Sequence, residues 1–93
     1  MLRPEVVSVM TAIHSYFLGR IRKYGEGKVA TGVLEQALAE EEHPEWAIAD
    51  GIAQFVHGGH LEKVKVLNYW EIVTSHSSLD FTDWLSTTYR ASG

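Results

Sequence analysis

The chain has 93 residues, 45% of them hydrophobic and 22% charged, with a formal net charge of −4. That is the size of a single domain, 1–93, and its apolar content suffices for a core without disulfides, which the absence of cysteine excludes together with thiolate chemistry. The acidic balance argues against a strong general affinity for nucleic acid, and no apolar run approaches a membrane span. A cytoplasmic protein without membrane contact is the expectation, since Met1-Leu2-Arg3-Pro4 does not open a signal peptide.

The first element is a helix from Pro4 to about Lys23. Val6, Met10, Ile13, Phe17, Ile21 and Tyr24 recur at steps of four, three, four, four and three, the spacing of a core-facing stripe. Val7, Val9, Tyr16 and Leu18 widen the apolar surface beyond one face, so a second partner is needed. Either the later helices cover it, or a second copy does, in a homodimer through Val6, Met10, Ile13 and Phe17. His14 lies off the stripe and is expected to be partly exposed or at an interface.

Gly25-Glu26-Gly27-Lys28 is a turn that lacks the spacing of a phosphate-binding loop. A second helix runs from about Ala30 to Glu41, with Val33, Leu34, Ala37 and Leu38 expected inside. Its end carries Glu40-Glu41-Glu42, where the helix dipole disfavours negative charge, and such a local conflict marks a candidate binding face.

Pro44 suits the first turn of a third helix. Trp46, Ala49, Ile52, Ala53 and Val56 then recur at helical spacing until Gly58-Gly59 stops the run after about His57. With that stripe inward, Glu45, Ala47, Asp50, Gln54 and His57 are left exposed. Leu61 to Val66 and Tyr69 to Val73 are rich in β-branched and aromatic residues around Leu67-Asn68, the pattern of two strands and a tight turn. Trp70 shares a strand face with Ile72 and is expected in the core, while Tyr69, on the opposite face, is a contact residue. Thr74 to Ser78 is a polar linker, and a fourth helix begins at Asp80, with Phe81, Trp84, Leu85 and Thr88 facing inward.

Residues 28–74 resemble a winged helix-turn-helix unit. The run Ile52-Ala53-Gln54-Phe55-Val56-His57-Gly58-Gly59-His60-Leu61-Glu62-Lys63-Val64 looks like the end of a recognition helix entering its wing. The expected fold is mainly α (α+β): three helices, a β-hairpin wing and a C-terminal helix. The resemblance implies DNA binding, with Glu45 to His57 as the recognition helix and His60 to Thr74 as the wing.

Charge bears on that implication. A groove-reading helix uses Arg or Lys for guanine and phosphate, and Asn or Gln for adenine. Gln54 fits, but Glu45 and Asp50 have the wrong sign for phosphate, and no Lys or Arg stands between Lys28 and Lys63. Nucleic-acid contacts would fall to Lys63 and Lys65, which alternate on one face of the first wing strand, and to Arg20, Arg22, Lys23 and Lys28. A solvated helix end is the plainer account of that basic cluster.

For a metal site, His57 and His60 have HxxH spacing but no third ligand at a matching interval, so no metal and no cofactor are expected. No nucleophile elbow appears, and exposed carboxylates make a poor acid–base pair, so the chain is not expected to be an enzyme. Two readings result. One is a protein-binding regulatory adaptor that meets a protein partner through Glu41, Glu42, Glu45, Asp50 and Tyr69, with an acidic inhibitor of a nucleic-acid-binding machine as a variant. The other is a DNA-binding transcriptional regulator.

Overall fold

The structure, a computed structural model, describes residues 3–74. α1 (Pro4–Tyr24) starts with Pro4, where no N–H is needed, and ends at Gly25, whose φ of 79° brings its N–H to the Ile21 carbonyl at 2.9 Å. β1 (Lys28–Ala30), α2 (Thr31–Glu40), α3 (Glu45–His57), β2 (Leu61–Val66) and β3 (Tyr69–Thr74) follow. The described residues thus form an α+β structure, mostly helical, with three helices and one antiparallel sheet of order β1-β3-β2. The linker and fourth helix expected beyond Thr74 lie outside the described residues.

The central contact is α1 on α3. Val6, Val9, Met10, Ile13 and Phe17 pack against Ala47, Ile48, Ile52 and Phe55, and Leu34, Leu38, Val29, Leu61 and Ile72 close the core from α2 and the sheet. Val6, Met10, Ile13 and Phe17 are each 0% exposed, so the stripe expected to make a homodimer is spent inside the protomer. His14 is buried as well, against the expectation, whereas Tyr24 at the end of the stripe is exposed.

α3 is turned by about a third of a turn from the phase expected from sequence. Its buried residues are Ala47, Ile48, Gly51, Ile52 and Phe55. Trp46, Ala49 and Ala53 are exposed and Val56 is half-buried, while Ala47, expected outside, is fully buried. Gly51 makes this phase fit: a Cβ at that position would lie 2.6 Å from Val9 Cγ1. The outward Trp46 ring is covered by the Arg3 guanidinium at 4.6 Å.

The ends of α2 and α3 use the same stop signal. At the end of α3 the His60 N–H reaches the Phe55 carbonyl at 2.9 Å and the Gly59 N–H reaches Val56 at 3.2 Å, with Gly59 at φ 84°. The His60 and Phe55 rings meet edge to face at 6.3 Å. At the end of α2, His43 reaches Leu38 at 3.3 Å and Glu42 reaches Ala39 at 3.0 Å, with Glu42 itself in the left-handed conformation at φ 67°. A glutamate holds the position that glycine fills at the other junction.

The β2–β3 hairpin has the expected strands and turn, with Val66 opposite Tyr69. β1, which was not expected, adds along the far side of β3 and pairs Val29 with Ile72. Val33, expected inside α2, is 54% exposed, and Trp70, expected in the core, is 48% exposed. Strand alternation is respected, for Trp70 shares the face of buried Ile72, but the hairpin tip extends past the helices that would cover it.

A trough between two helices and the hairpin

Three adjoining cavities meet at Glu35 on the exposed side of α2. The largest, about 720 Å³, lies between the start of α2 and the hairpin and is lined by Thr31, Val33, Glu35, Lys63, Tyr69 and Trp70 among others. A second of about 430 Å³ continues between α2 and α3, over Ala49, Ile52, Ala53, Val56 and His57, and shares Thr31, Glu35 and Lys63 with the first. A third of about 280 Å³ extends to Glu45 past Ala39 and Ile48. Together they make one trough with an apolar floor and few charges.

Local sequence sets each wall. The Thr31 hydroxyl donates to the Trp70 carbonyl at 3.0 Å and pins the start of α2 to β3. The turned phase of α3 offers Ala49 and Ala53 as a flat floor. On the hairpin, Lys63 and Lys65 lie on the face of Leu61 and Ile72, and the Lys65 ammonium sits 5.2 Å from the Trp70 ring centre.

The residues expected to bind protein are only partly united. Glu45 and Tyr69 line the trough, at different ends. Glu41 and Glu42 are exposed on the α2–α3 connection, Glu41 with a carboxylate oxygen 3.5 Å from His43 Nε2. Asp50 is half-buried and accepts a bond from the Gln54 amide at 3.4 Å, so Gln54 is engaged along its own helix. Of the residues expected to touch nucleic acid, Lys63 alone lines the trough, with Lys65 beside it. Arg20, Arg22, Lys23 and Lys28 line none of its three cavities. The Arg20 guanidinium stacks on Tyr24 at 4.8 Å and on Tyr16 at 5.9 Å, and Lys28 pairs with Glu26 at 3.7 Å.

Glu35, Val33, Ala49, Ala53 and Trp70 belong to the trough without having been singled out for it. Glu35 opens a run, 35–50, that holds six carboxylates and no Lys or Arg, but the two alanines carried no signal, because their exposure depends on the phase of α3. Among the described residues no group of three or more His, Cys, Asp or Glu is placed to hold a metal ion, and no helix is long and apolar enough to cross a membrane. No family model, curated protein or solved structure matches this chain.

Proposed function

We propose that the chain is a non-catalytic, cytoplasmic binding module on a winged-helix scaffold, and that it docks a protein through the trough. The scaffold reading is supported by α2, α3 and the hairpin following one another without interruption in residues 31–74. One observation carries the choice of protein over DNA. The outward ridge of α3 is Glu45, Trp46, Ala49, Ala53 and His57, with no lysine or arginine on it.

A helix presenting that ridge to a duplex would bring apolar surface and a carboxylate to a polyanion, with nothing to replace released counterions. A protein surface is a better match. An apolar patch seats on Ala49, Ala53 and Val33, and basic groups face Glu35, Glu45 and the exposed carboxylates of the α2–α3 connection.

The test is fluorescence anisotropy of mixed-sequence duplex DNA titrated with the full chain, from low to physiological salt. Absence of saturable binding at physiological salt is the expected result. Binding that persists there, and that Lys63→Ala with Lys65→Ala abolishes, would restore the DNA reading and remove the trough as a protein site.

A further inference from the structure

We infer that the trough accepts the hairpin tip of a second copy of this chain, with Leu67 seated between α2 and α3 and Lys65 facing Glu35 across the contact. The inference rests on the trough being a protein-docking surface and names its occupant.

The tip supplies the knob. Leu67 is 90% exposed, more than any other large apolar residue among those described, and it stands at φ 52° in a two-residue turn. Glycine is the residue that takes this conformation without steric cost, so leucine there is unfavourable both for the backbone and for its hydration. Among the described residues of one protomer nothing covers the Leu67 side chain, which is 90% exposed. An apolar cavity that receives the side chain covers it.

The trough supplies the hole. Its α2–α3 section has a volume of about 430 Å³ and an apolar floor of Ala49, Ile52, Ala53 and Val56, room enough for the tip. Charge agrees in sign at the tip, where Lys65 stands on the face opposite Glu62 and Glu71, while Glu35 lies at the centre of the trough and Lys63 is the cation already lining it. An apolar tip with one cation beside it matches an apolar floor with a central carboxylate, and residues 65–70 supply such a tip.

Symmetry agrees too. Lys63, Tyr69 and Trp70 of the hairpin form one wall of the same protomer's trough, so tip and trough lie side by side. A two-fold axis between them lets each copy give a tip and receive one, which closes the assembly at two copies and leaves no open contact for fibre growth.

Sedimentation velocity of the full chain, from micromolar to near-millimolar concentration, tests this. The expected result is a concentration-dependent shift from monomer to dimer. Leu67→Gly should remain monomeric over that range while its melting temperature as a monomer rises, because glycine relieves the backbone. A merely structural role for Leu67 would give the second effect without the first.

Ala53→Glu, at an exposed position that the fold does not need, should also dissociate the dimer. Lys65→Glu and Glu35→Lys should each weaken it about tenfold or more, and the two combined in one chain should recover most of that loss. A wild-type chain that stays monomeric throughout overturns the inference, as does a Leu67→Gly variant that dimerises like wild type. Co-sedimentation of the monomer with phosphatidylserine vesicles, lost in Leu67→Gly, would overturn it in favour of a lipid surface. None of these results touches the DNA titration, which tests the trough as a protein site by itself.

Discussion

Gly51→Ala decides whether α3 has the phase on which the trough depends. If Trp46, Ala49 and Ala53 faced inward, Gly51 would lie on the solvent side, and alanine would stabilise the helix by about 1 kcal/mol through propensity. In the structure the added methyl meets Val9 Cγ1 at 2.6 Å and Val9 Cβ at 3.3 Å, where carbon–carbon contacts are ordinarily about 3.5–4.0 Å. Val9 is 0% exposed and β-branched on a helix, so it has essentially one rotamer and no space to leave. Overpacking of this kind costs about 1–3 kcal/mol, and the propensity gain offsets part of it. The net expectation is a loss of up to about 2 kcal/mol, or up to roughly 15 °C in melting temperature for a domain of this size. Val9→Ala alone should cost about 2 kcal/mol, yet combined with Gly51→Ala it removes the clashing methyl, so the pair should couple favourably by about 1 kcal/mol. Urea melts of the four proteins, followed by far-ultraviolet circular dichroism, give the cycle. A Gly51→Ala protein more stable than wild type, or strict additivity, would refute the phase and with it the apolar floor of the trough.

The two left-handed helix ends should respond with opposite signs. Glu42→Gly is expected to raise stability by about 0.5–1 kcal/mol and Gly59→Ala to lower it by about 1–2 kcal/mol, both read from thermal melts. In α2, Val33→Ser should stay within about 0.5 kcal/mol of wild type, whereas Leu34→Ala should cost about 2–5 kcal/mol. Equal losses at the two positions would mean that Val33 is inside after all. Thr31→Val removes the hydroxyl that holds α2 to the Trp70 carbonyl and should cost about 0.5–1 kcal/mol, which Thr31→Ser should largely restore in the same urea assay.

Much of the architecture was legible because its punctuation is chemical. Pro4, Gly25, Pro44 and the Gly58-Gly59 pair bound α1 and α3 nearly to the residue, and the β-branched runs around Leu67-Asn68 gave the hairpin and its turn. β1 was not legible: three residues carry no period, and the strand exists only because β3 offers it an edge. The phase of α3 failed for a related reason. Trp46, Ala47, Ile48, Ala49, Gly51, Ile52, Ala53, Phe55 and Val56 surround the helix with apolar or small side chains, so no clean polar stripe defines the outside. Asp50 and Gln54 suggested one, but they bond to each other at the boundary of the buried face. The acidic character of the site was visible at Glu45, whereas its apolar floor depended on a rotation that only tertiary packing of Gly51 on Val9 determines.

The placement of cations weighs more than the net charge in choosing between the two binding readings. Each phosphate neutralised contributes about −0.9 to the logarithmic salt slope on duplex DNA. Lys63 and Lys65 are the cations on the trough side of the hairpin, which limits that face to a slope of about −2. Lys65 is already stacked on Trp70, and Lys63 shares its cavities with Glu35. The larger basic cluster does not help, because Arg20 is stacked on two tyrosines, Lys28 is paired with Glu26, and neither lines the trough. Gln54, the side chain on α3 suited to reading adenine, is turned to Asp50. The face therefore offers a polyanion little beyond two partly engaged lysines. To an apolar surface with a basic flank it offers a continuous floor, a central carboxylate and aromatic walls, and that balance of contacts favours protein as its ligand.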